Sequence, residues 1–199
     1  LAHADELHHM GERLGVTGYL SELNVLDGMW TSRTPSHIAL RDVADTITAE
    51  RLGDAVEVID RTLRRSGIAR PRISVAALNP HAGDGGNFGR EEIDVLRPAI
   101  EAMQKRQMPV DGPWPSDTVF LKLRDGEIDA VVTMYHDQGQ IALKLLGFER
   151  GVTVQGGLPY PVTTPAHGTA FDIAGQGTAR VAAMRQAFDI ACDMVANWQ

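Results

Sequence analysis

The chain has 199 residues, 43% apolar and 23% charged, enough to bury a core in one large domain or two modest ones. A net charge of −7 argues against a dedicated nucleic-acid binder, and no apolar run reaches the roughly 18 residues that a membrane span needs. The lone cysteine, Cys192 in "FDIACDMVANW", is expected to be buried. A single thiol excludes an internal disulfide framework and fits a reducing compartment, and with no signal peptide visible a cytoplasmic protein is expected. The first residue is Leu1 rather than methionine, as expected of a fragment or of a longer protein whose start is absent.

In chain order, "HADELHHMGERLG" reads as a helix ended by Gly15, within a segment to Leu23 of mixed character. "AERLGDAVEVIDRTLRRSG" places Leu52, Ala55, Val56, Val58, Ile59 and Leu63 at helical spacing, with Gly67 as the stop. "RPRISVAAL" is a β-branched run bounded by Pro71 and Asn79-Pro80, a buried strand. "NPHAGDGGNFGREE" is a glycine-rich loop opening the helix "EEIDVLRPAIEAMQKRQ". "MPVDGPWPSDTVFLKLRDGE" holds a short strand and a turn. "IDAVVTMYH" is a second strand, followed by the short helix "GQIALKLLGF". "GVTVQGGLPYPVTTPAHGTAFDIAGQG" is loop-rich with a strand inside it, and "TARVAAMRQAFDIACDMVANW" closes the chain as a long helix. Strands alternating with helices predict an α/β fold with a parallel sheet.

In open α/β sheets, ligands gather at the carboxyl ends of the strands. Two strands here lead into "NPHAGDGG" and "MYHDQG", which puts His81 and His136 on that edge. A histidine taken singly is more often a surface residue than a ligand, but these two sit beside an acid or glycines. Imidazole can bind a divalent cation through one nitrogen while a carboxylate such as Asp137 orients the other. The spacing matches no local zinc pattern. "AGDGGNFGREE" has the composition of an anion-cradling turn or of a tight unliganded loop, without the G-x-G-x-x-G register. Lys144 could meet an anion at the same edge or be a solvated helix lysine. "HGTAFDIAGQG" offers a small-residue floor for a flat ring, where Asp172 could instead cap a helical turn.

Taken together, "LNPHAGDGGNFGREEID", "MYHDQGQIALKLLGF" and "HGTAFDIAGQGTA", with "SHIALRDVADTIT" and "PWPSDTVF" in the same order, resemble the 4-hydroxythreonine-4-phosphate dehydrogenase (PdxA-type) family of pyridoxine (vitamin B6) biosynthesis and its catabolic relatives. The resemblance implies an α/β/α sandwich of the isocitrate/isopropylmalate dehydrogenase-like type. It implies a two-domain subunit of which this chain is the C-terminal two-thirds, in a homodimer with shared active sites. It implies a divalent metal (Zn, Mg, Co or Mn) held by His37, His81 and a dimer-related His136. Asp137, Asp117 and Lys144 would support catalysis, and Lys144 and His3 would contact an anionic hydroxy-acid substrate. NAD would lie against the turn formed by His167, Gly168, Thr169, Ala170, Asp172 and Gly175. The implied reaction oxidises a secondary alcohol to a ketone, with hydride passing to NAD, followed in the biosynthetic enzyme by loss of carbon dioxide.

Three positions depart from the family pattern. Thr153 stands where the family has a substrate-contacting asparagine, Val162 where it has an arginine, and His3-Ala4 where it has His-Thr. Loss of a bidentate guanidinium predicts an altered substrate: a phosphorylated threonate- or erythronate-type acid, a plain hydroxy acid, or a cyclic diol carboxylate as in dihydrodiol dehydrogenases. The rival class is a binding relative without turnover; a hydrolase lacks an evident nucleophile.

Overall fold

The computed structural model describes residues 5–198. Helix α1 (Glu6–Arg13) starts where the Asp5 carboxylate accepts the His8 backbone N–H at 2.9 Å. Strands β1 (Ser21–Leu26) and β2 (Met29–Arg33) are joined by Asp27-Gly28, whose φ angles of 49° and 83° suit a two-residue hairpin turn. After α2 (Val43–Thr46), Thr48 caps the long helix α3 (Ala49–Arg65) by accepting the Arg51 N–H at 3.2 Å. The six apolar residues singled out on α3 are all buried, as their spacing predicts. Strand β3 (Ile73–Ala76) leads through the glycine-rich loop into a π-helical turn, Glu92–Leu96, that continues as α4 (Arg97–Lys105). Then come β4 (Val110–Trp114), α5 (Val119–Arg124), β5 (Ala130–Thr133), α6 (His136–Gly147), β6 (Val152–Gly156), β7 (Thr163–Pro165) and α7 (Ala182–Ala196).

The seven strands form one sheet in the order β4-β3-β5-β2-β1-β6-β7. Pairing is parallel from β4 through β3 and β5 to β2, and antiparallel from β2 through β1 and β6 to β7. The expected all-parallel sheet is therefore corrected to a mixed one. The two-residue link between β1 and β2 is too short for a crossover, so it forces an antiparallel pair, and β6 adds to that pair's outer edge.

Side chains alternate across the sheet into two apolar layers. Ala130 and Val132 of β5 face the larger core beneath α3, α4 and α7, whereas Val131 faces a smaller cluster with Val119 and Leu123 of α5. Each fully buried Leu, Ile or Val side chain contributes on the order of 1.5–3 kcal/mol. Cys192 is exposed, against expectation. Helix α7 buries the stripe Ala183, Ala187 and Met194, and the thiol falls off that stripe. Among the described residues, no helix is long and apolar enough to cross a membrane.

Candidate active site

The four parallel strands deliver their carboxyl ends to one edge of the sheet. The chain leaving β2 carries His37, that leaving β3 carries His81, that leaving β4 carries Asp117, and that leaving β5 carries His136. This is the edge where an open α/β sheet presents its ligand site. His136 is not the end of a strand, as its sequence suggested. β5 stops at Thr133, and His136 and Asp137 open α6, where a helix N-terminus supplies a favourable field for an anion.

His37 and His136 lie with ring centroids 5.4 Å apart and planes tilted by 46°. They meet because β2 and β5 are neighbours in the sheet, with Arg33 opposite Thr133. His136 Nδ1 is 2.6 Å from Asp137 Oδ1, and His37 Nδ1 is 3.3 Å from Ser36 Oγ. Each ring is thus oriented through Nδ1, which leaves Nε2 as the available donor atom. The pair lines a cavity with Ser36, Ile38, Leu40, Val43, Tyr135 and Asp137. The loop under His37 is tied from below, because the buried Tyr19 hydroxyl donates to the Thr34 carbonyl at 2.6 Å. Burial, with a smaller contribution from Asp54, pushes the Tyr19 phenol up to about 12.

His81 is held differently. From His81 to Gly86 every residue has φ between 44° and 102°, a left-handed turn that includes the non-glycine residues His81, Ala82 and Asp84. Such backbone costs L residues roughly 1–2 kcal/mol each. The His81 ring lies against Phe88 at 6.1 Å. Among the described residues no group of three His, Cys, Asp or Glu side chains converges on one point. Within the chain, the ring that neighbours His37 is that of His136.

The remaining candidates are spread along the cleft. Asp117 is exposed in the turn before α5. Lys144 lies two helical turns beyond His136, about 12 Å along α6 at 1.5 Å per residue. It lines a separate pocket with Asn24, Gln140, Gly151 and Ala166, so it does not share the few ångströms around His136. Thr153 on β6 accepts a hydrogen bond from Asn24 Nδ2 at 3.2 Å, and Asn24 Oδ1 accepts from Arg33 Nη1 at 3.0 Å and from Gln140 Nε2 at 2.5 Å. Arg33 is buried and also donates to Glu22 at 2.7 Å. Burial lowers its pKa and Glu22 offsets part of that. Val162 is half-buried just before β7, its carbonyl accepting from the Gln155 N–H.

His167, Gly168, Thr169, Ala170, Asp172 and Gly175 lie together in an exposed segment after β7. His167, Gly168 and Ala170 line an open cleft with Ile173, Thr178, Ala179, Arg180 and Glu149, and Arg180 pairs with Glu149. Asp172 makes no capping bond to its short helical turn, which removes that alternative. His3 lies outside the described residues.

Three polar residues escaped the sequence reading. Glu92 is fully buried and accepts the backbone N–H groups of Leu78 and Asn79 at 2.9 and 2.8 Å and Asn79 Nδ2 at 2.9 Å. Its signal was a carboxylate on the face that continues as Leu96, Ile100 and Met103, where an apolar residue belongs. Gln138 joins two strand ends, accepting from Met134 N–H at 2.8 Å and donating to the Ala77 carbonyl at 2.9 Å. Arg33, the third, carried no signal, because a charged residue in a short strand reads as solvent-facing.

A Pseudomonas aeruginosa relative named for a second 4-hydroxythreonine-4-phosphate dehydrogenase is 61% identical over 194 residues, 96% of this chain and 58% of its own. The D-threonate 4-phosphate dehydrogenase of Pectobacterium atrosepticum is 48% identical over 159 residues, 80% of this chain and 49% of its own. The crystal structure of 4-hydroxythreonine-4-phosphate dehydrogenase from Klebsiella pneumoniae superposes with a TM-score of 0.84 at 41% identity, covering 100% of this chain and 59% of that one. A β-decarboxylating dehydrogenase of Thermococcus kodakarensis, 14% identical with a TM-score of 0.58, shares the fold alone. The chain thus has the expected isocitrate/isopropylmalate dehydrogenase-like architecture and spans 49–60% of the length of these relatives. The profile of the family described as Pyridoxal phosphate biosynthetic protein PdxA matches residues 1–191, and the chain belongs to that family.

Proposed function

We propose that the chain forms the metal- and substrate-handling part of an NAD-dependent dehydrogenase that oxidises a secondary alcohol of a phosphorylated hydroxy acid to a ketone. The observation that carries this is the His37–His136 pair at the carboxyl edge of the parallel strands, with each Nδ1 already engaged. Two such imidazoles fit a divalent cation (Zn, Mg, Co or Mn), and the Asp137 contact has the form of the carboxylate that orients a ligating histidine. Two nitrogens are too few for a closed site, and a His81 supplied by a second copy would complete the set in a homodimer. When bound, the cation supplies Lewis acidity at the substrate hydroxyl and the nicotinamide accepts the hydride.

The chain's own residues do the rest. Asp137 orients His136, and Asp117 lies at the same edge. Lys144, beside Asn24 and Gln140, meets the substrate's anionic end. The open cleft at His167, Gly168 and Ala170 receives the cofactor, with Thr169, Asp172 and Gly175 on the same turn. The relatives' names support a phosphorylated acid as substrate. Thr153, tied into the Asn24–Arg33 network, and the uncharged Val162 argue for an acid other than 4-phosphohydroxythreonine, with D-threonate 4-phosphate the first to try.

The test is Co²⁺ calorimetry on the chain, followed by NADH formation with phosphorylated and plain hydroxy acids. We expect His37→Ala and His136→Ala each to weaken Co²⁺ binding by at least about tenfold. Wild-type affinity in both variants sinks the metal site, and equal turnover of phosphorylated and plain acids sinks the substrate class.

A further inference from the structure

The left-handed turn carrying His81 is an expensive piece of backbone, and within it three glycines and the Asn87 bonds to Asp84 offset part of the cost. More is supplied from outside. Glu92 lies under the entry to the turn, fully buried, and its two oxygens accept three N–H groups from Leu78 and Asn79. Charge-assisted bonds of this kind are about twice as strong as neutral ones. Gly83, at the middle of the turn, packs directly over the same carboxylate: a Cβ there would fall 2.7 Å from Glu92 Oε2. The carboxylate thus fixes both the entry and the midpoint of the turn.

One residue upstream, the Ala77 carbonyl accepts from Gln138 Nε2, while Gln138 Oε1 accepts from the Met134 N–H. Gln138 is two residues past His136, in the first turn of α6. A continuous run of short bonds therefore joins the His136 helix to the exit of β3 and, through Glu92, to the His81 turn. We infer that Glu92 and Gln138 are positioning residues that together set where His81 stands relative to the His37–His136 pair. Neither approaches the cavity itself. The inference rests on the metal reading above for its functional meaning, but the clamp is a geometric claim that can be measured without metal.

Two readouts separate the possibilities: amide exchange at Leu78 and Asn79 in the labelled chain, and Co²⁺ affinity by calorimetry. Glu92→Gln keeps the volume but turns an N–H₂ group toward the Asn79 donors. We expect those amides to exchange at least about tenfold faster and Co²⁺ to bind about 10–100-fold more weakly, the range seen when groups that orient metal ligands are lost. Gln138→Met, which removes both strand-end bonds at a half-buried position, should weaken Co²⁺ binding in the same direction. Glu91→Gln is the control, since Glu91 touches only Asn79 Nδ2, at 2.7 Å, and should change affinity less than about threefold. If Glu92→Gln fails to fold, Gln138→Met carries the Co²⁺ readout, with amide exchange read at Met134, whose N–H loses its acceptor. A variant that melts earlier yet keeps wild-type Co²⁺ affinity overturns the positioning role. Unchanged exchange at Leu78 and Asn79 overturns the clamp. If the wild-type chain binds no Co²⁺, the metal reading fails by itself and exchange at those two amides decides the clamp alone.

Discussion

Two stretches of this molecule are rich in glycine and bear candidate site residues, yet they are built on opposite principles. The loops at the carboxyl edge of the parallel strands are pinned by inward polar groups: the half-buried Tyr19 under the His37 loop, the buried Glu92 under the His81 turn, and the half-buried Gln138 between β3 and β5. From His167 to Val181 every residue is exposed except the half-buried Ile173. Apart from the Arg180–Glu149 ion pair, the side-chain bonds there are local, from the His167 ring to the Gly168 carbonyl and from Gln176 to the Asp172 carbonyl. The first region holds its shape before a ligand arrives. The second leaves its order to what binds. A metal site needs donor atoms placed to within a few tenths of an ångström, whereas a flat ring accepts a looser floor.

The contrast can be broken most forcefully at Glu92. Glu92→Ala leaves the Leu78 and Asn79 N–H groups buried without acceptors, at about 1–3 kcal/mol each, so a loss of about 3 kcal/mol or more is expected in chemical denaturation. Next is a matched pair of glycines. Gly83→Ala, with φ of +81° and a Cβ 2.7 Å from Glu92 Oε2, should cost about 2 kcal/mol, whereas Gly168→Ala meets nothing within 4 Å and should stay within about 0.5 kcal/mol. Equal losses at the two sites would erase the distinction between pinned and open loops.

Tyr19→Phe should cost about 1 kcal/mol by freeing the Thr34 carbonyl. It also carries a pH signature. The phenol is raised from 10.0 to about 12 in the folded protein, so its contribution is fully present below pH 10 and is lost as pH climbs through about 12. Alkaline titration of stability should show that leg in the wild type and not in Tyr19→Phe. The smallest effect is expected at Phe171, 82% exposed, where Phe171→Ala should move stability by less than about 0.5 kcal/mol in chemical denaturation.

Much of this could be read in advance, and the misses have physical reasons. α3 was legible because one face is apolar over its whole length and Thr48 and Gly67 mark its ends. β3 and β5 were legible as short β-branched runs between turn residues. The β1–β2 hairpin was not, because Glu22, Asn24, Thr31 and Arg33 break the apolar alternation. They are buried against one another rather than against solvent, and the Asp27-Gly28 turn was the signal passed over. Strand direction follows from connection length, so the mixed sheet became visible only with that hairpin. Cys192 misled because α7 carries apolar residues on two faces, and only the Ala183, Ala187 and Met194 face is covered here. His81 and His136 were singled out from their loops and His37 from the family resemblance, but which of them meet depends on strand order, which no local pattern encodes.

That strand order has a consequence for how the protein reaches its working state. His37 and His136 are ninety-nine residues apart in the chain and become neighbours only when β2 docks alongside β5 at the centre of the sheet. The proposed metal-binding pair is thus among the most non-local contacts in the molecule, and closing so long a loop is slow compared with forming α3 or the hairpin. Cation affinity should therefore appear late and abruptly during refolding, after most helical signal has returned. A bound ion would then report completion of the central sheet more faithfully than any measure of secondary structure.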